Sequence, residues 1–137
     1  MRIQTASSIR ETLIAAARAA HPRECCGLLL GTATDEAARI STACIGEIRP
    51  CRNVHADPEH HFEIDPAVLI AAHRAAREGG ASVLGYYHSH PMGEPVPSLT
   101  DREQSACDGR IWAIVAGERI GWWRDLPEGF EQLDPPV

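Results

Sequence analysis

The chain has 137 residues and a formal net charge of −6. This length suits one hydrophobic core, so we expect a single domain over residues 1–137. The negative charge argues against nucleic acid or an anionic membrane as a partner. No stretch has the apolar length of a transmembrane span, and charged residues stand where a secretory signal would be apolar. We therefore expect a cytoplasmic protein.

The five cysteines are odd in number and scattered, without a Cys-x-x-Cys pair. This pattern argues against a disulfide framework or a thiolate zinc site and favours reduced thiols. Cys25 lacks the context of a protease nucleophile, and we interpret it as a small buried residue.

The first elements are a helix and two strands. Ser8 and Glu11 form a capping-box pattern that predicts a helix ending near His21. The apolar run 27–32 predicts a strand buried on both faces. A turn at residues 34–36 should lead into a second strand, about residues 38–48.

The middle of the chain predicts a loop, a short strand and a helix. Residues 50–59 are polar and should form a surface loop, and residues 61–64 a short strand. Asp65 and Pro66 fit the N-cap and first turn of a helix that ends at Gly79-Gly80.

The last third begins with a strand at residues 82–90 and a proline-rich loop at 92–97. A short helix over residues 100–107 follows, with Thr100 as N-cap and Gly109 as its stop. Strands at 111–116 and 119–123 flank a tight turn. This mixed order of elements predicts an α/β or α+β fold, with helices covering a sheet.

A metal site is indicated where the fourth strand ends. His88 and His90 are two residues apart on an extended segment, so their side chains point the same way. Asp101 can return as an oxygen ligand after a short loop. Two histidines and one carboxylate leave a fourth position open for water, as in a catalytic rather than a structural zinc site.

Helix capping is the competing explanation for part of this pattern. Ser98 and Asp101 could simply begin a helix, but Thr100 and Glu103 already fit a capping box. Capping therefore leaves both histidines and Ser98 unexplained. The doublet His60-His61 is a poor chelator, because adjacent strand side chains face opposite sides.

The chain resembles the JAMM (MPN+) metalloprotease family in a set of spaced residues. These are Glu24 far upstream, then His88-Ser89-His90, seven further residues, Ser98, two residues and Asp101. The resemblance covers about residues 5–125. It implies a mixed curved β-sheet flanked by helices, of the cytidine-deaminase-like type. It also implies that Zn²⁺ is held by the two histidines and the aspartate, that Glu24 is the general base and acid, and that Ser98 stabilises the oxyanion.

Residue type alone leaves other bases open. Glu11, Glu63 and Glu94 could serve, and Glu94 is the main rival because it is near the ligands in sequence. Ser89 should point away from the metal and have a structural role. Of Trp122 and Trp123, we expect one ring in the core and one partly outside.

The resemblance implies hydrolysis of the peptide or isopeptide bond after the terminal Gly-Gly of a ubiquitin-like or sulfur-carrier (β-grasp) protein. One alternative is an idle MPN-type binding scaffold. Another is a zinc deaminase, but the chain lacks the His-x-Glu and Pro-Cys-x-x-Cys patterns of that class. Whether the chain forms a homodimer stays open.

Overall fold

The computed structural model describes residues 1–34 and 41–136. Within these residues the chain forms one sheet of seven strands and three helices. The strands are β1 (Arg2–Thr5), β2 (Cys26–Thr34), β3 (Thr42–Cys51), β4 (Ser82–Ser89), β5 (Ile111–Ala116), β6 (Arg119–Leu126) and β7 (Gly129–Gln132). The helices are α1 (Ile9–Ala20), α2 (Pro66–Arg77) and α3 (Leu99–Gln104).

The sheet is mixed and curved, as predicted. Its strand order is β1-β3-β2-β4-β5-β6-β7. The β1–β3 and β4–β5 pairs are parallel and the others antiparallel. β2 shifts register against β3 after Leu30 and against β4 after Leu29. Such bulges bend a strand and increase its twist.

A helix covers each face of the sheet. Leu29 of β2 belongs to a hydrophobic cluster that includes Ile9 and Leu13 of α1. Its neighbours Leu28 and Leu30 point the other way, into a cluster with residues of α2. Alternation along the strand therefore explains why this apolar run is buried on both faces, as predicted.

Several local predictions are confirmed. The Asp65 side chain accepts a hydrogen bond from Ala67 N at 2.9 Å and caps α2. β4 and the β5–β6 hairpin form where expected, although β6 continues to Leu126. Trp122 is buried and Trp123 partly exposed. Across the two described segments, no helix has the length and apolarity needed to cross a membrane.

Other predictions in the first half are wrong. Residues 61–64 form only an isolated bridge, between Asn53 and Ile64. β3 extends to Cys51, so the surface loop begins later than predicted. Ser8 precedes α1, but its side chain makes no capping hydrogen bond. Most of the turn predicted at 34–36 and the first part of the following predicted strand lie outside the described residues.

The start of α3 was also predicted wrongly. Ser98, not Thr100, is its N-cap, and Asp101 rather than Glu103 completes the capping box. The short aspartate side chain reaches back to the Ser98 N–H, which shifts the helix start by two residues. The helix ends at Gln104, well before Gly109. The four-residue edge strands β1 and β7 were not predicted.

Candidate metal centre

The end of β4 and the start of α3 bring the three predicted metal ligands together. His88 lies in β4, and His90 continues the strand geometry because its N–H bonds to Val115 O of β5 at 2.8 Å. Their Nε2 atoms are 3.0 Å apart. The Asp101 carboxylate lies 3.2 Å from Nε2 of His88 and 3.0 Å from that of His90.

These separations suit a small tetrahedral cation. Ligands at the zinc–nitrogen and zinc–oxygen distances of ~2.0–2.1 Å are ~3.3 Å from one another in a tetrahedron. Three mutual distances of 3.0–3.2 Å are close to that value. The donor set therefore fits a bound metal ion and leaves one side of the tetrahedron free of these three ligands.

His88 is held in a fully buried aromatic environment. The Phe62 ring stacks on its imidazole at a centroid distance of 4.3 Å, and Trp112 meets it edge-on at 5.4 Å. Burial lowers the pKa of His88 below its ordinary value. The imidazole is thus favoured in the neutral form that binds metals. Its Nδ1 has no hydrogen-bond partner among the described residues.

His90 is oriented by its own loop. Its Nδ1 lies 2.8 Å from the Glu94 carbonyl oxygen, which can only accept, so Nδ1 carries the hydrogen. With a metal ion bound, Nε2 would lose its own hydrogen and present its lone pair to the ion. Burial acts to lower the pKa of His90, but the bonds to Asp101 and to the Glu94 carbonyl outweigh it and raise the pKa.

The same loop is fastened to β6. Trp123 Nε1 donates to the Pro95 carbonyl at 3.0 Å, and Arg119 forms an ion pair with the Glu94 carboxylate. A side chain at Gly121 would collide with the Pro95 carbonyl oxygen. Glycine at this position therefore allows the loop to lie directly on the strand.

Asp101 is fixed by the cap of α3. Ser98 N donates to its carboxylate at 2.9 Å, and Asp101 N donates to Ser98 Oγ at 3.1 Å. Burial acts to raise the pKa of Asp101, but hydrogen bonds from both histidines lower it overall. The aspartate is therefore an anion. The Ser98 hydroxyl accepts in this cap, so its own hydrogen remains available to another acceptor.

Glu24 completes the group of acidic and histidine side chains. A carboxylate oxygen and the ligand nitrogens of His88 and His90 all lie within 4.8 Å of one another. The residue is only 7% exposed, and burial raises the pKa of its carboxyl group to about 7. Glu24 thus lies beside His88 and His90, and these three side chains could also hold a metal ion.

The rival carboxylates lie elsewhere. Glu94 is exposed and paired with Arg119, and the side chains of Glu11 and Glu63 are exposed.

Ser89 Oγ accepts a hydrogen bond from Cys25 N at 2.8 Å, which confirms its structural role. All five cysteines are free, and Cys25 is only half-buried. Sequence reasoning missed Phe62, Trp112 and Trp123, because no local pattern marks them as neighbours of the ligands.

The family profile described as prokaryotic homologs of the JAB domain matches residues 6–125. The chain belongs to this family, as the resemblance to JAMM proteins predicted. A solved structure of a JAB1/MPN domain protein from Archaeoglobus fulgidus has the same fold, with a TM-score of 0.59 and 24% identity. The match covers 100% of this chain and 98% of that one.

Two relatives carry functional names. The chain is 36% identical to a desampylase of Haloferax volcanii, over 84% of this chain and 81% of the relative. It is 33% identical to a probable TtuB-protein conjugate cleaving protease of Thermus thermophilus, over 64% of this chain and 57% of the relative.

Proposed function

We propose that this chain is a zinc metallopeptidase that cleaves the peptide or isopeptide bond after the terminal Gly-Gly of a ubiquitin-like or sulfur-carrier protein. The observation that carries the proposal is the convergence of His88, His90 and Asp101 at 3.0–3.2 Å, with the Glu24 carboxylate beside them. In this proposal the three residues hold the metal and Glu24 performs proton transfer.

The chemistry follows from the side chains. Bound zinc would supply a water molecule with a pKa of ~7 as the nucleophile. Glu24 would accept the proton of that water and deliver it to the leaving amine. Without a metal ion, burial raises the pKa of this carboxyl group to about 7, which favours a group that can accept and release a proton near neutral pH. The Ser98 hydroxyl would donate a hydrogen bond to the oxyanion that forms on the scissile carbonyl.

The substrate class is supported by the relatives. A desampylase and a probable TtuB-conjugate protease are named for the removal of protein modifiers. A terminal Gly-Gly suits such a site, because an extended tail without side chains can lie close to a strand edge and bind through its backbone.

The test uses the zinc-loaded protein and a small β-grasp carrier extended beyond its Gly-Gly. We expect cleavage after the second glycine, detected by mass spectrometry, its loss on chelation and its return with Zn²⁺. Replacing the Gly-Gly by Leu-Leu should prevent cleavage. Equal cleavage of both tails would contradict the Gly-Gly specificity.

A matched pair of variants tests the base. Glu24→Gln should keep zinc and lose about 10²–10⁴-fold in turnover, because an amide cannot accept the proton. Glu11→Gln, an equivalent change on the exposed surface of α1, should leave turnover unchanged. A chain that binds zinc but cleaves no carrier would favour the idle-scaffold alternative.

A further inference from the structure

Glu24 lies outside regular secondary structure. It follows α1 and precedes β2, which begins at Cys26. Its main-chain groups bond instead to residues 52–64, here termed the Asn53 loop. Glu24 N donates to Pro58 O at 2.7 Å, and the Glu24 carbonyl accepts from Asn53 Nδ2 at 3.0 Å. The placement of this carboxylate therefore depends on a segment about thirty residues away in sequence.

The Asn53 side chain organises this loop through five hydrogen bonds. Its Nδ2 donates to the carbonyls of Glu24 at 3.0 Å, His61 at 2.9 Å and Pro58 at 3.4 Å. Its Oδ1 accepts from the backbone N–H groups of His55 and Glu63, each at 3.1 Å. A primary amide offers two donor hydrogens and two lone pairs, so the three Nδ2 contacts share two hydrogens, and the hydrogen-bonding capacity of the group is fully used.

The peptide group between Glu24 and Cys25 is held on both sides. Its carbonyl accepts from Asn53, and its N–H donates to Ser89 Oγ on β4 at 2.8 Å. Rotation of this peptide would turn the Glu24 side chain relative to His88 and His90. Ser89 connects the peptide to the strand that carries the metal ligands, and Asn53 supplies the opposing contact.

From these contacts we propose that Asn53 is a positioning residue for Glu24, an inference that rests on the proposed function. The Asn53 amide holds the Glu24–Cys25 peptide at the orientation in which the carboxylate lies beside His88 and His90. Metal binding itself depends on β4 and α3, which Asn53 does not contact through these bonds. Its loss should therefore reduce turnover while zinc binding persists.

Asn53→Asp is the sharpest variant because it preserves size and shape. It keeps an acceptor for His55 and Glu63 but places a second oxygen against three carbonyls. A displaced base of this kind costs about 10²-fold in kcat. We expect that loss with unchanged KM and an unchanged zinc dissociation constant, measured by chelator competition. Asn53→Gln, which keeps the amide but moves it by one methylene, should show a smaller loss.

Two controls separate positioning from general damage. Val54→Ala alters an exposed side chain of the same loop and should leave kcat, KM and the zinc dissociation constant unchanged. Two of the Asn53 bonds go to His61 O and Glu63 N, on either side of Phe62, so Phe62→Leu tests an alternative route: it removes the ring stacked on His88 and should weaken zinc binding. Weaker zinc binding in the Asn53 variants would show that they act through Phe62 and would overturn the positioning role. A purely structural Asn53 would lower the melting temperature and leave the kcat of the folded, zinc-loaded protein unchanged, which would overturn the proposal.

Amide hydrogen exchange tests the proposal without an activity assay. In the unsubstituted protein, the amides of Glu24, His55 and Glu63 should open together, because one side chain links the groups that hold them. Asn53→Asp or Asn53→Gln should accelerate exchange at Glu24. If the wild type cleaves no carrier protein, the proposed function fails. Amide exchange alone then decides whether Asn53 positions Glu24. Independent opening of Glu24, or exchange at Glu24 that the variants leave unchanged, would overturn the positioning role.

Discussion

The two halves of the site are built differently. His88, His90 and Asp101 are carried by a central strand and a capped helix, and each has its orientation set by nearby backbone or ring contacts. Glu24 lies between elements, and a loop side chain holds its carbonyl. The proposed metal ligands His88, His90 and Asp101, here the metal half, are thus held by regular secondary structure. The proposed base Glu24, here the base half, depends on a few polar contacts. Metal binding and turnover should therefore respond to different substitutions.

The largest expected effect is loss of a ligand from the metal half. His88→Ala or Asp101→Ala should abolish stoichiometric zinc, because only two protein ligands remain. The affinity for zinc should fall by more than the ~10–100-fold decrease that follows loss of a hydrogen-bond partner of a metal ligand. Zinc per chain after gel filtration, measured by elemental mass spectrometry, checks this. Retention of one zinc in both variants would contradict the ligand assignment.

Ser98 contributes to both halves of the site. Its N–H bonds to Asp101, and in the proposed mechanism its hydroxyl stabilises the oxyanion, so Ser98→Ala should affect turnover and stability. Loss of the hydroxyl should lower turnover by about 10²–10³-fold, as for an oxyanion donor. It should also cost about 1 kcal/mol in the free energy of unfolding, because the N-cap of α3 is lost. Zinc should be retained, since the Ser98 N–H still bonds to Asp101. Ser98→Thr keeps a hydroxyl and should recover much of the turnover; failure of that variant with its cap intact would argue against oxyanion stabilisation.

A smaller effect is expected where the loop that contains Glu94 and Pro95 contacts β6. Trp123→Phe keeps an aromatic ring but removes the donor to the Pro95 carbonyl, which should loosen the loop that orients His90. We expect the zinc dissociation constant to rise by about 10-fold, at the low end for an indirect metal contact. Arg119→Gln removes only an exposed ion pair and should change the affinity far less. Equal effects would mean that the indole contact does not hold the loop.

The smallest effect concerns the pH dependence of the metal-free protein. Burial raises the pKa of Glu24 from 4.5 to about 7, so the folded state binds the proton more tightly than the unfolded chain. Stability relative to Glu24→Gln should therefore fall as the pH rises from 4.5 to 7, by about 1–3 kcal/mol. Urea unfolding of the metal-free wild type and the metal-free Glu24→Gln variant from pH 4.5 to 7 measures the difference in their free energies of unfolding. Titratable groups that both proteins share contribute little to that difference. A constant difference would show that the carboxyl group is not buried in solution.

Residues near one another in sequence were predicted best. His88 and His90 share a face because strand side chains alternate, and Asp101 is near them because a loop and one helical turn connect them. The exact start of α3 was wrong, because Thr100–Glu103 and Ser98–Asp101 are both plausible caps and only the packed structure selects one. The absent strand at residues 61–64 has a related cause: the Asn53 side chain takes backbone bonds that a neighbouring strand would otherwise take.

The amino-acid sequence by itself predicted that His88, His90 and Asp101 lie together, that β2 is buried and which family the chain belongs to, since these depend on local periodicity and short spacings. Only the tertiary structure decided which glutamate lies beside His88 and His90. Glu24, Glu94, Glu63 and Glu11 are equivalent by residue type, and the resemblance alone favoured the first. The contacts that select Glu24 join its peptide to Asn53 and Ser89, across about 30 and 64 residues of chain. Such contacts arise only when the sheet assembles, because no local periodicity encodes them.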